Sequence, residues 1–213
     1  MRPALKEHKD IYKAVHRAQH VQRNWNLDKS MPESDVEIIL EAAQQATSKQ
    51  NRAFYKVHAI QDRKLIEQIH EQTMGFGVEK KITTNPQTLA HLVLVFEEYV
   101  EPKTLEIAIE HQRKMGNNMP LQNFKAQLKR DQHMAVGVAA GAINITAAMM
   151  GYGTGCCACF NPEGVKELLG MENDPMLIMG IGIPGDKNRR VHHLDENFVF
   201  PTFAKEPIEV VTH

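Results

Sequence analysis

The chain has 213 residues and 42% hydrophobic content, enough to bury the core of one domain. Its 25 basic and 26 acidic residues leave a formal net charge of -1, which excludes a general attraction to nucleic acid or an anionic membrane. The three cysteines, Cys156, Cys157 and Cys159, are too few and too crowded for a disulfide framework and point to a reducing compartment, read as the cytoplasm.

Met1 to Asp10 is charged and holds no apolar run, so no signal peptide is expected. Asp10 to Gln19 reads as a first helix, with Ile11, Ala14 and Val15 on one side. After a polar stretch, Pro32 opens a second helix through Ala46, where Val36, Ile39, Leu40 and Ala43 recur at helical spacing. Thr47 to Arg52 breaks that pattern. Phe54 to Ile60 reads as a strand, and Leu65, Ile66 and Ile69 mark a third helix. Gly75 to Pro86 reads as a loop and Leu89 to Phe96 as an apolar strand. Lys103 to Met115 and Leu121 to Arg130 read as two helices split at Gly116 to Pro120.

Met134 to Met150 is almost uncharged, slightly short for a membrane span and interrupted by Asn144 and Thr146. Its Gly137 and Gly141 form a small-xxx-small pair, so a buried helix packed closely on another is expected. Gly151 caps that helix, and Gly153 and Gly155 are expected in the turn after it. Cys156 to Phe160 reads as a short strand. Asn161 and Pro162 then serve as N-cap and first residue of a helix ending at Gly170. Met176 to Ile183 is a further strand, and Phe198 to Val211 is an extended tail. No linker, repeat or low-complexity run divides the chain, so residues 1–213 are expected to form one α+β domain.

Familiar chemical motifs are missing or misplaced. The three glycines follow a helix instead of opening one, unlike a dinucleotide-binding fingerprint. The cysteine cluster lacks the second ligand pair of a structural zinc site, and its neighbouring members would face opposite sides of a strand. His16 and His20 lack the glutamate of a zinc-protease helix. No metal is expected. Two basic clusters remain, Arg17 with Arg23 and Lys187 with Arg189 and Arg190, in residue types suited to a phosphate.

The order of four segments resembles the nitroreductase family. His20-Val21-Gln22-Arg23-Asn24-Trp25 stands like the family's Arg-x-Ser-x-Arg-x-Phe segment, with Val21 in place of Ser and Gln19 nearest the leading Arg. Ala42-Ala43 and Thr47-Ser48-Lys49-Gln50-Asn51 resemble its helix end and Pro-Ser-x-x-Asn loop, with Thr47 in place of Pro. Gly151 to Phe160, Asn161-Pro162-Glu163 and Leu168-Leu169-Gly170 resemble its glycine turn, short strand and following helix. Gly180-Ile181-Gly182-Ile183-Pro184 is similar to its last core strand. Ala158 and Cys159 stand where many members have Glu-Gly.

The resemblance implies a sandwich of helices around a small, mainly antiparallel sheet, in a homodimer whose C-terminal segments cross to the partner. It implies FMN at the dimer interface, NAD(P)H as hydride donor to flavin N5, and a small acceptor such as a nitroaromatic or quinone, with ping-pong kinetics. Other activities of such a flavoprotein are reductive dehalogenation, oxygen-dependent flavin chemistry or FMN binding without catalysis. The implied FMN-binding set begins with Arg17, Gln19, His20, Val21 and Arg23, and includes Thr47, Ser48, Lys49 and Asn51. Asn85 or Gln87 would take the pyrimidine edge, Cys156, Cys157, Ala158 and Cys159 the N5 side, and Lys187, Arg189 and Arg190 the phosphate. Residues 101–130, with Met115, Met119 and Phe124, would form a variable cover, and Phe124 would stack on the substrate.

Overall fold

A computed structural model describes residues 7–73, 85–116, 120–185, 191–192, 195–199 and 204–212. The expected loop at 75–86 lies outside the described residues except for its end, where Pro86–Leu89 forms a 3-10 turn. Lys187, Arg189, Arg190 and Met119 also lie outside them.

Among the described residues a four-stranded antiparallel sheet runs through the middle. Its strands are β1 (Tyr55–Ile60), β2 (Leu92–Glu98), β3 (Gly153–Cys157) and β4 (Pro175–Gly182), in the order β1-β2-β4-β3. Because successive side chains alternate, the strands feed two separate cores. Val93, Val95, Cys157 and Ile178 face α3 (Arg63–Glu71) and α6 (Pro162–Leu169). Leu92, Leu94, Phe96, Met179 and Ile181 face α2 (Glu33–Gln44) and α5 (Leu121–Met150). The sheet is thus covered on both faces, which explains why β2 reads as a continuous apolar run.

The sequence pattern and the structure part in several places. Leu121–Arg130 and Met134–Met150 are one 30-residue helix, α5. Its first half is amphipathic and its second half apolar because the helix runs from a solvated region into the core, where Ala139, Ile143 and Ala147 are fully buried. By length and composition α5 could cross a membrane; that buried stripe against β4 and α2 instead makes it the sandwich's central helix. Among the described residues Gly137 and Gly141 do not meet another helix: a Cβ at either would find nothing within 4 Å.

Gly151 ends α5 with φ 96°, as expected of a left-handed cap, but Gly153 and Gly155 lie inside β3. Asn161 makes no side-chain cap to α6. Its amide donates instead to Gln72 Oε1 (3.1 Å), and its backbone N–H to Gln72 O (2.7 Å), tying the end of α3 to the start of α6. The first helix, α1 (Lys9–Ala18), buries Ala14, but Ile11 and Val15 beside it are each 51% exposed. α4 (Pro102–Lys114) precedes α5.

The expected tail does not start unpaired. β6 (Asp195–Val199), which includes Phe198, pairs antiparallel with β5 (Val191–His192) in a separate ribbon. Residues 204–212 carry no regular structure and are exposed.

Candidate functional site

Four glycines shape one end of the sheet. Gly153 pairs with Gly182 and Gly155 with Gly180 across the β3–β4 ladder. All four therefore lie on one face, and that face has no side chains there. Polar groups fill the space. A Cβ on Gly155 would overlap Gln87 Cβ, one on Gly180 would overlap the Gln87 carbonyl, and one on Gly153 would stand 2.8 Å from Gln22 Cγ. His91 lies against Gly182. The repeated Gly-x-Gly of β3 and β4 is thus the sequence signal for where a polar floor enters an otherwise apolar sandwich.

Gln87 is 4% exposed and Asn85 6%. Gln87 Nε2 donates to Asn85 Oδ1 (3.1 Å) and to Cys156 O (3.4 Å). Both partners are acceptors, which fixes the amide's orientation. Gln87 Oε1 is left buried with no partner among the described residues. An unmet buried acceptor costs about 1–3 kcal/mol and marks a place where an N–H donor would be stabilising.

The segment after α1 runs along the outer edge of β3. Val21 bridges Thr154 in parallel, and Gln22 N–H donates to Thr154 O (2.8 Å). Arg17 lies at the end of α1 and donates from Nη1 to Ala148 O (2.8 Å), near the C-terminus of α5. Four other donors of its guanidinium stay available beyond that bond. Gln19 and His20 are exposed, and Gln19 lies 3.5 Å from His16 Nδ1. Arg23 is half-buried. Burial pushes the Cys157 thiol up, and the Arg23 charge partly opposes it. Trp25, at the family's aromatic position, is buried and donates from Nε1 to Pro86 O (2.8 Å).

Trp25 also bridges Pro184, and Gly185 N–H donates to Asn24 O (2.8 Å). The chain therefore enters the basic loop beside Asn24. Sequence reasoning did not find His91, which holds this segment from below. Its Nε2 contacts two carbonyls, Asn26 O (3.0 Å) and Lys29 O (2.9 Å), so it carries the proton, and Nδ1 accepts from Ile183 N–H (3.4 Å). Burial pushes this imidazole down from its ordinary value.

β3 presents its cysteines to both sides. Cys157 is buried and its thiol donates to Cys159 O (3.6 Å); Cys156, Ala158 and Cys159 are exposed at the sheet's end. Although Cys156 is exposed as a residue, the protein packed around its thiol desolvates it and raises it, with Cys157 adding to the effect, which disfavours the nucleophilic thiolate.

The structure thus joins the first, third and fourth sequence segments, with Asn85 and Gln87, at one sheet edge. The second segment lies elsewhere. Thr47 to Asn51 precedes β1, the opposite edge strand. Three strand spacings of about 4.8 Å separate the edges, roughly 14 Å. Ser48 Oγ donates to Arg52 O (2.6 Å), and Lys49 Nζ pairs with Asp131 Oδ2 (2.6 Å). Gln50 and Asn51 adopt left-handed φ of 58° and 53°. Thr47, Ser48 and Asn51 line a cavity of about 480 Å³. Phe124 lines another of about 250 Å³ with Lys49.

The sequence model of the Nitroreductase family matches residues 17–183. No curated protein matches the chain. Among solved structures, the chain is similar to a nitroreductase family protein from Clostridium novyi NT, at 17% identity and TM-score 0.62 over 84% of this chain and 87% of that one. A Staphylococcus epidermidis protein provisionally named an NAD(P)H:FMN oxidoreductase gives 17% identity and TM-score 0.61 over 83% and 87%. An Exiguobacterium sibiricum protein provisionally named a nitroreductase, in complex with FMN, gives 16% and 0.61 over 91% and 93%.

Proposed function

Since the chain belongs to the nitroreductase family, we propose that it is a homodimeric FMN oxidoreductase of the cytoplasm, taking hydride from NAD(P)H and passing it to a small acceptor. The observation that carries the reading is the convergence of Arg17, Arg23, Asn85, Gln87 and the exposed end of β3 on the glycine-floored edge of the sheet.

These residues fit the cofactor. Arg17 and Arg23 supply fixed positive charge for a phosphate or an anionic ring edge. Gln87 Oε1 is an acceptor that no described residue meets, matched by a flavin's imide N–H. Exposed Cys156, Ala158 and Cys159 offer a rim of small side chains on which a flat ring can lie. Bound FMN would supply the hydride chemistry; the protein supplies binding, orientation and charge. The family resemblance gives Lys187, Arg189 and Arg190 the phosphate, and the loop before them starts beside Asn24.

One protomer holds only part of the expected set, because Thr47, Ser48, Lys49 and Asn51 stand at the far sheet edge. A second copy would bring them to the first copy's Arg17–Arg23 edge. Two features support a dimer. Gly137 and Gly141 open a side of α5 where no described residue comes within 4 Å of an added Cβ, and Met134, Val138, Ile11, Tyr12 and Val15 expose apolar surface on α5 and α1. The exposed residues 204–212, with Ile208, Val210 and Val211, are the segment that would cross to the partner.

The test is the absorbance spectrum of the purified protein before and after anaerobic addition of NADH or NADPH. Flavin absorbance that bleaches with one donor supports the reading and identifies the donor. Protein that stays colourless even after incubation with FMN would sink it.

A further inference from the structure

A cavity of about 260 Å³ lies where the segment after Trp25 meets the end of β1 and the start of α3. Leu27, Met31 and Ile66 give it an apolar wall, and Lys29 and Arg63 give it two positive charges. Among the described residues no acid lines it. His91 stands at the wall and donates to Lys29 O (2.9 Å), which ties the Lys29 backbone to the start of β2.

Arg63 is only partly used by the fold. Its Nη1 donates to Leu89 O (3.0 Å) and Ala90 O (3.3 Å), which fixes the plane of the guanidinium. Nε and Nη2 are buried, and neither makes a hydrogen bond among the described residues; Glu67 Oε1 lies 3.4 Å from Nε. Burial pushes this guanidinium down, and Glu67 only partly opposes it. Asp62, next to Arg63 in the chain, is committed to the helix end, where it accepts from Leu65 N–H (2.7 Å). The cavity thus holds a desolvated cation short of counter-charge, with Lys29 beside it. A buried donor left unmet costs free energy that an anionic oxygen placed there recovers. A carboxylate matches the guanidinium fork, and the three apolar side chains suit a hydrocarbon body. The volume falls just under the roughly 300–1,000 Å³ of drug-sized pockets, so the molecule is small.

We infer that this cavity binds a small aliphatic carboxylate, its carboxylate held by Arg63 Nη2 and Lys29 and its chain against Leu27, Met31 and Ile66. The inference goes beyond the proposed function and does not rest on it. None of these residues belongs to the flavin set, and binding needs no electron donor.

Calorimetric titration of the purified protein with hexanoate, hexan-1-ol and inorganic phosphate tests it. Hexanoate is expected to bind at least about tenfold tighter than hexan-1-ol, the size of one charge-assisted hydrogen bond, and tighter than phosphate, which has no apolar body. Equal binding of hexanoate and hexan-1-ol, or of hexanoate and phosphate, would overturn the inference. Arg63→Gln is expected to erase the preference for hexanoate over hexan-1-ol, and Arg63→Lys to restore part of it. Because Arg63 also holds two backbone carbonyls, the exposed Lys29 gives the second variant. Lys29→Gln should weaken hexanoate about threefold, the scale of an exposed charge, and leave hexan-1-ol unchanged. Hexanoate affinity that survives this change intact would overturn the inference even if Arg63→Gln fails to fold. Saturation with FMN beforehand separates the cavity from the flavin edge. Unchanged hexanoate binding supports the assignment; displacement by FMN would put the carboxylate at the Arg17–Arg23 edge and overturn it.

Discussion

Glu97 shows how much a single side chain can fix. It is 1% exposed and accepts from His58 Nε2 (2.7 Å), the backbone N–H of Glu172 (3.1 Å) and Asn173 (2.8 Å), and Asn173 Nδ2 (3.1 Å). Burial alone would raise its carboxyl, but the bonds from His58 and Asn173 overcome that and hold it below its ordinary value of 4.5. A depressed carboxylate stabilises the fold above its unfolded pKa, and the contribution is lost as pH falls through the folded value. Glu97→Gln is expected to cost about 2 kcal/mol at neutral pH, the scale of hydrogen bonds to a charged group. It should also flatten stability below pH 4.5. Urea unfolding from pH 7 to 3 checks this, and an unchanged acid limb would refute it. His91, whose imidazole is pushed down from 6.5, loses stability in the same direction but from a higher pH. Both proteins share that loss, so their difference curve isolates Glu97. Gly155→Ala acts at the same scale by sterics. Its Cβ would overlap Gln87 and sit 2.9 Å from Gln22 O, so a loss of about 1–3 kcal/mol is expected in thermal unfolding.

Among the elements, α5 carries the most information. Replacing Gly141 by Leu should leave the protomer folded, because nothing lies within 4 Å of the new Cβ and leucine favours helix by about 0.8–1 kcal/mol over glycine. The same change should weaken dimerisation at least tenfold in sedimentation velocity, if this face is where two copies meet. A dimer of unchanged affinity would move the interface elsewhere. α5 also shows what the sequence made legible. Each half has a clear helical signature, Leu121 to Arg130 and Met134 to Met150, and the polar Asp131-Gln132-His133 between them hides their continuity. The junction stays helical, with Gln132 buried beside exposed Arg130 and His133, since propensity does not require burial of every residue. β3 misled differently: Gly153 and Gly155 suggest a turn by their backbone freedom, whereas here they are spaced by two to face Gln22 and Gln87. The helices α2 and α6 were readable from apolar residues at helical spacing, and β1, β2 and β4 from short runs of apolar, aromatic and β-branched residues. The bond from the Asn161 amide to Gln72 was not, because Gln72 stands at the end of α3, far off in the sequence.

For the molecule as a whole, the spacing of the half-sites at opposite sheet edges makes a sharp prediction. Arg23→Ala and Ser48→Ala, each made in a separate chain, should both lower FMN affinity, by about 10–100-fold for the charged group. Mixed by co-refolding, half of the dimers would pair one variant with the other, and each such dimer would hold one intact site. About a quarter of normal flavin loading should return, as random pairing of a two-fold dimer requires. Fluorescence titration with FMN measures it, and no recovery on mixing would mean that both half-sites act within one chain. The candidate site was legible from sequence as a set of segments. The family resemblance implied that Ser48, Lys49 and Asn51 come from the other subunit or the ribityl side; the sheet edge on which they stand depends on the strand order β1-β2-β4-β3, which no local pattern encodes.

The two left-handed residues, Gln50 and Asn51, bear on any attempt to make this protein more heat-resistant. A side chain held at positive φ costs on the order of 1 kcal/mol that glycine would avoid. Gln50→Gly is therefore an obvious stabilising substitution, worth a few degrees in melting temperature for a domain of this size. It would also loosen the loop carrying Ser48, Lys49 and Asn51. An engineer who screens by melting temperature alone would select the variant that fits its ligand worst.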